Sequence, residues 1–310
     1  MGVLPPRRGR FAPSPTGHLH FGSLVAALAS HADARHAGAE WHLRIEDVDV
    51  PRVRRGAADA ILRDLERLGF AWDGPVWTQS KRVDAYAAAL ETLHAAGLVY
   101  RCRCTRRELA HARRNAQGEP VYPGHCRLDP TRAAGSRDAI AWRIRVPAGP
   151  TTIVDRHYGL QCQDLAAEVG DFVVRRSDGM FAYQLAVVVD DAAQGITDVV
   201  RGADLLASTP RQVFLQSSLG LPTPRYLHVP VAVDRAGAKL SKHLGARALA
   251  DDPLDALVAA WRFLGQEEPP DHPASIGDFW AFARSRWMVG RLPSTLVQVA
   301  PEFPLAGTET

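Results

Sequence analysis

With 310 residues the chain can bury a large core, and its length suggests about two domains. A composition that is 46% hydrophobic and 23% charged is that of a globular protein, and the net charge of +3 leans only mildly toward anionic partners. No apolar run approaches the ~20 residues of a bilayer span, and Arg7, Arg8 and Arg10 lead into no apolar stretch, so neither a membrane protein nor a secretory leader is expected and the cytoplasm is.

In chain order, residues 10–12 read as a short strand stopped by Pro13. The run Pro13-Ser14-Pro15-Thr16-Gly17-His18-Leu19-His20-Phe21-Gly22-Ser23 is a glycine-punctuated turn that sets an imidazole just ahead of a helix. Ser23 is the expected N-cap of that helix, Leu24, Ala27, Leu28 and His31 recur at helical spacing, and Gly38 follows its end. Residues 41–45 alternate apolar and polar and read as a second strand, with Glu46, Asp47 and Asp49 at its carboxyl end. A helix is expected over 57–68, with Ile61, Leu62, Leu65 and Leu68 on one face. Another is capped by Ser80, with Val83, Tyr86, Ala87, Leu90 and Leu93 inward. Strand and helix alternate here, as in an α/β domain with a parallel sheet.

From Tyr100 to about Pro150 that rhythm breaks. Cys102, Cys104 and Cys126 fall close together, and in an intracellular protein that points to metal rather than disulfides. Tetrahedral Zn²⁺ fits three thiolates with either Tyr122 or His125 as the fourth ligand; Cys162 reads as a separate free thiol. A hairpin is expected from Phe172 to Tyr183, turning at Ser177-Asp178-Gly179. The α/β rhythm resumes with a strand at Asp198-Val199-Val200, ending at Arg201-Gly202, and a helix opened by Pro210. A last strand over 227–233 leads to the loop Lys239-Leu240-Ser241-Lys242-His243. Two helices are expected beyond it, around Leu254–Trp261 in one case and a tryptophan-rich stretch over 279–287 in the other. The resulting division is 1–100 as the first half of a nucleotide-binding domain, 101–182 as a metal-containing insertion, 183–250 as the second half and 251–310 as a helical end region.

The glycine turn offers backbone N–H groups at a helix start, and the lysine loop offers mobile ammonium groups, a pairing suited to nucleotide phosphates. In this order the two motifs resemble the signatures of class I aminoacyl-tRNA synthetases. The wording Arg10-Phe11-Ala12-Pro13-Ser14-Pro15-Thr16-Gly17 is similar to the glutamate branch in particular. Two positions depart from the common pattern: Ser23 stands where many class I enzymes carry a second histidine, and His243 where the lysine motif usually ends in serine.

The resemblance implies a Rossmann-like catalytic domain that activates L-glutamate with ATP and Mg²⁺. His20, Gly22, Ser23, Lys239 and Lys242 would be catalytic, and Pro13, His20, Gly22 and Lys242 would bind ATP. Glu46 suits the substrate ammonium, Arg10 and Arg201 suit carboxylates, and Tyr183 can donate a hydroxyl; in the resembling family these positions line the amino-acid pocket together with Ala12 and Ser14. The same family pattern puts a tyrosine four residues before the last cysteine, which makes Cys102, Cys104, Tyr122 and Cys126 the implied ligands of one zinc ion. Little chain follows the lysine motif, and with Cys-x-Cys…Tyr-x-x-x-Cys this is similar to the glutamyl-Q tRNA(Asp) synthetase family, whose members lack an anticodon-binding domain. The implied partner is then tRNA(Asp) containing queuosine, and a monomer is expected. The alternatives are a minimal glutamyl-tRNA synthetase charging an acceptor end and an inactive paralogue that binds RNA or an amino acid as a regulator.

Overall fold

The computed structural model describes residues 6–133, 140–238 and 252–301. Among them the strands are β1 (Arg8–Phe11), β2 (Glu40–Ile45), β3 (Trp77–Thr78), β4 (Val99–Cys102), β5 (Ala141–Ile144), β6 (Pro150–Asp155), β7 (Gly159–Asp164), β8 (Val173–Arg175), β9 (Asp198–Gly202), β10 (Arg225–Val229), β11 (Val231–Val233) and β12 (Val297–Val299). The helices are α1 (Phe21–His36), α2 (Ala57–Arg67), α3 (Val83–Ala95), α4 (Arg106–Leu109), α5 (His125–Leu128), α6 (Leu165–Glu168), α7 (Tyr183–Ala193), α8 (Thr209–Ser218), α9 (Pro253–Phe263) and α10 (Ile276–Arg286). No described helix is long and apolar enough to cross a membrane.

The main sheet runs β3-β2-β1-β9-β10-β6-β7, parallel except for the antiparallel β6–β7 pair at its edge. The chain therefore builds outward from β1 in one direction and from β9 in the other. The crevice between those two strands is the topological switch point, where an open α/β sheet binds its ligands at the carboxyl ends of the strands. Arg10 and Arg201 stand at the ends of these two strands.

Helix α1 packs on this crevice and is itself covered by α9 and α10, so Leu24, Ala27, Leu28 and Ala29 are fully buried. Trp41, Trp261, Phe279 and Trp287 fill the same core, and each fully buried apolar side chain contributes about 1.5–3 kcal/mol. The indole N–H groups find acceptors: Trp41 Nε1 donates to Ser30 Oγ at 3.0 Å and Trp287 Nε1 to Asp33 Oδ1 at 3.0 Å. A three-stranded antiparallel sheet, β4-β5-β8, carries the cysteine segment. The stretch 101–182 contributes to both sheets, because its β6 hydrogen-bonds to β10.

Several local expectations are corrected. His20, not Ser23, is the N-cap of α1, and Ser23 is the third helical residue. Ser80 caps no helix: it lies in a 3₁₀ turn, Gln79–Arg82, and its N–H is drawn 2.7 Å from Asp47 Oδ1. Val83 and Ala87 are consequently exposed, and α3 packs through Tyr86, Leu90 and Leu93. The hairpin after Phe172 closes only through an isolated bridge between Arg175 and Phe181, and Tyr183 opens α7 instead of ending a strand. The stretch 227–233 is two strands broken at Pro230, which has no N–H for a continuous ladder; β11 leaves the main sheet to pair with β12.

Candidate active site

The start of α1 is closed by a reciprocal capping box. Ser23 N–H donates to His20 Nδ1 at 3.2 Å, and His20 N–H donates to Ser23 Oγ at 2.8 Å. Because Nδ1 accepts from a backbone N–H, the neutral ring carries its proton on Nε2. A Cβ at Gly22 would come 3.3 Å from the imidazole, so a side chain there would press on the ring. The sequence places Ser23 in a helix-start role; the geometry makes it the residue that orients His20.

This helix end opens into a cleft of about 310 Å³ lined by Arg10, Ala12, Pro13, Ser14, His20, Gly22, Ser23, Glu46, Tyr183 and Arg201 among others. Lys239 and Lys242, with the rest of the Lys239–His243 motif, lie outside the described residues. The cleft thus gathers every described residue assigned to phosphate or amino acid from sequence.

Two of the lining residues, Arg10 and Glu46, belong to a buried charge network that sequence reading missed. Arg10 Nε is 3.3 Å from Asp191 Oδ1. Arg44 is fully buried, 3.1 Å from Glu46 Oε1 and 2.8 Å from Asp191 Oδ1, and it donates to Gln194 Oε1 at 2.7 Å. Asp190 accepts from Arg82 at 2.7 Å, Gln79 at 3.1 Å and the Tyr86 hydroxyl at 2.6 Å. Burial pushes Glu46 above the usual carboxylate range, against the pull of Arg44 and Arg10. Burial also opposes ionisation of Asp191, but Arg10 and Arg44 outweigh it and hold its pKa low. Burial raises the Tyr183 phenol, so that hydroxyl keeps its proton and can donate. The alternation of β2 counts Arg44 among polar, outward positions, yet both faces of this inner strand are covered and only paired carboxylates make the charge tolerable. One signal was present: two aspartates adjacent in the otherwise apolar Val187-Val188-Val189-Asp190-Asp191 stretch.

On the neighbouring strand β9, Arg201 donates through Nε to His228 Nε2 at 3.1 Å and through Nη2 to Thr209 Oγ1 at 2.9 Å. His228 Nδ1 lies 2.7 Å from Asp155 Oδ2. Neither Asp155 nor His228 carries a motif that would have singled it out.

In the second sheet region the Sγ atoms of Cys102, Cys104 and Cys126 lie within 4.8 Å of one another, with Cys104 and Cys126 3.5 Å apart. The Tyr122 hydroxyl is 3.4 Å from Cys102 Sγ and 3.7 Å from Cys104 Sγ. A tetrahedron with Zn–S bonds of about 2.3 Å has edges of about 3.8 Å, so this donor set fits zinc. Arg143 donates to Cys102 Sγ at 3.3 Å and stacks 3.8 Å over the Tyr122 ring, which offsets thiolate charge. His125 is exposed at the start of α5 and is no member of the group. Cys162 is exposed on β7, and all four cysteines are free of disulfides.

Comparison with known proteins places the chain in a family. The family model for the catalytic domain of class I tRNA synthetases (E and Q) matches residues 7–262. A glutamyl-Q tRNA(Asp) synthetase of Dechloromonas aromatica is 55% identical over 96% of this chain and 99% of its own length. Its counterpart in Aromatoleum aromaticum is 56% identical over 96% of this chain and 94% of its own. The crystal structure of a glutamate-tRNA synthetase from Elizabethkingia anophelis superposes with a TM-score of 0.76 at 22% identity, over 94% of this chain and 67% of that one. At that identity the likeness speaks for the fold.

Proposed function

The chain belongs to the class I tRNA synthetases of the glutamate and glutamine branch, as a relative of the glutamyl-Q tRNA(Asp) synthetases, and on that premise we propose that it activates L-glutamate with ATP and transfers it to queuosine in the wobble position of tRNA(Asp). In the first step a glutamate carboxylate oxygen attacks the α-phosphorus and pyrophosphate leaves. In the second, a hydroxyl of the queuosine cis-diol attacks the activated carbonyl and AMP leaves. Neither step needs a protein nucleophile; the protein positions the reactants and stabilises charge on phosphate oxygens.

The observation that carries the reading is one cleft holding two guanidinium groups, a carboxylate and a phenol against the start of α1. Glu46 takes the substrate ammonium, Arg10 and Arg201 take carboxylates, and Tyr183 donates to the substrate. His20 Nε2–H and the backbone N–H groups at the helix start hold the ATP phosphates, with Mg²⁺ neutralising the triphosphate. Lys239 and Lys242 are assigned to the phosphates by their motif. Selection of glutamate over glutamine follows from the arginines, since a neutral amide leaves a buried guanidinium without its counter-charge. Cys102, Cys104, Cys126 and Tyr122 would hold zinc, which when bound cross-links the segment around β4.

The test is exchange of labelled pyrophosphate into ATP by the purified chain. Exchange should depend on glutamate, fail with glutamine and need no tRNA. Strict dependence on tRNA would instead favour an ordinary glutamyl-tRNA synthetase.

A further inference from the structure

We propose that His228, held by Asp155, is a positioning residue that locks the Arg201 guanidinium and leaves its Nη1 end, with the second Nη2–H, to meet the amino-acid substrate. This rests on the assignment of Arg201 to a substrate carboxylate.

Three adjacent strands carry the chain of contacts. Asp155 ends β6, His228 lies in β10 in register with Arg201, and Arg201 is near the end of β9. All three side chains are buried, at 2%, 0% and 5% exposure. Arg201 spends its Nε–H on His228 Nε2 and one Nη2–H on Thr209 Oγ1, while the Tyr226 ring lies 5.3 Å from the guanidinium carbon. Its Nη1 is buried and, among the described residues, has no hydrogen-bond partner. Arg201 lines the candidate cleft, and Nη1 with the second Nη2–H are the donors that the described residues leave unspent for a carboxylate.

The direction of each hydrogen bond settles the imidazole. An arginine Nε–H can only donate, so His228 Nε2 accepts and the ring proton sits on Nδ1, facing Asp155 Oδ2 at 2.7 Å. Asp155 cannot swing away: its Oδ2 also accepts from His228 N–H at 3.1 Å, and its Oδ1 accepts from the N–H groups of His157 and Tyr158 at 3.0 and 2.9 Å. A doubly protonated ring would set N–H against N–H at Arg201. Burial guards against this state by pushing His228 down to about 4, even though Asp155 pulls the other way. A histidine held neutral in one tautomer is therefore a fixed acceptor for the guanidinium. Burying an arginine, a histidine and an aspartate costs stability that apolar residues of similar volume would not. The arrangement makes sense where a defined guanidinium orientation is worth that cost.

The experiment uses glutamate-dependent pyrophosphate exchange by the full chain. His228→Phe keeps the ring volume and removes the acceptor; it should raise the KM for glutamate about tenfold or more, as expected for loss of a hydrogen bond to a charged group, with the KM for ATP unchanged. His228→Gln, which can present an oxygen near the position of Nε2, should restore most of the affinity. Should His228→Phe not fold, Thr209→Val removes the other clamp and should raise the glutamate KM in the same selective way. Arg201→Met should raise it too, and adding His228→Phe to Arg201→Met should raise it no further. Equal KM increases for both substrates, additive effects in the double variant, or an unchanged glutamate KM in the folded single variants would overturn the positioning role. A wild-type glutamate KM in Arg201→Met would instead remove the carboxylate assignment beneath it.

Discussion

Individual residues divide by whether their chemistry depends on near neighbours in the chain. His20 and Gly22 are two positions apart, and their relation could be read from the sequence. Arg44 is a mixed case: its partner Glu46 is two positions away, but Asp190 and Asp191 come from a helix far along the chain and meet it only in the folded molecule. His31 is a second case: spacing marks it as inward, and the structure seals its ring edge-on against Trp41, Phe70 and Trp280, with centroids at 4.9, 5.3 and 4.4 Å. Burial in this cage lowers its pKa from 6.5 to about 3. The folded state thus keeps His31 neutral while the unfolded chain binds a proton below pH 6.5. The contribution of His31 is complete above that pH and is lost as the pH falls toward 3, at up to about 1.4 kcal/mol per unit. Denaturant titrations between pH 7 and 5 should show this loss, and His31→Leu should make the decline shallower. An equally steep decline in His31→Leu would show that other groups control acid stability.

Elements with strong local signals form as their sequences suggest, among them α1, α2, β2 and β9. Where a distant partner competes, local signals lose. Asp47 takes the N–H of Ser80, and the β-branched run 187–189 is carried into α7 by the core it faces; the split at Pro230 is by contrast a local effect of its missing N–H. The cysteine segment shows a tertiary dependence of the same kind. Gly170 has φ +70 and its missing side chain makes room for the backbone N–H and carbonyl of Tyr122, which itself donates N–H to Val169 O at 3.1 Å. Gly170→Ala should therefore displace Tyr122 and reduce bound zinc, measured by elemental analysis of purified protein. Cys102→Ser should release the metal and Cys162→Ser should retain it, because a thiolate ligand contributes binding energy that an exposed thiol elsewhere does not. Full zinc content in Gly170→Ala and Cys102→Ser would refute the ligand set.

At the scale of the whole molecule, two half-sheets meet at β1 and β9, and the cleft lies where their directions diverge. That architecture follows from the alternation of strands and helices and from the two motifs, but the buried polar network linking the halves does not, since it is written in single residues spread from Arg10 to His228. Asp33 shows the same long reach. It accepts both guanidinium nitrogens of Arg156 at 2.6 and 2.8 Å and the Trp287 indole, tying α1 to the β6–β7 edge and to the helical end region. Such ties join distant elements of the fold; under the proposed function the cleft also receives RNA, whose contacts should be mostly to phosphate and sensitive to salt. A single-stranded loop can present a splayed base to a cleft of this size, as a paired helix cannot. The most direct measurement is transfer of radiolabelled glutamate to matched tRNA preparations from cells with and without queuosine synthesis. Label should appear on tRNA(Asp) only in the preparation that contains queuosine; equal labelling of both preparations, or labelling of tRNA(Glu), would contradict the proposed function.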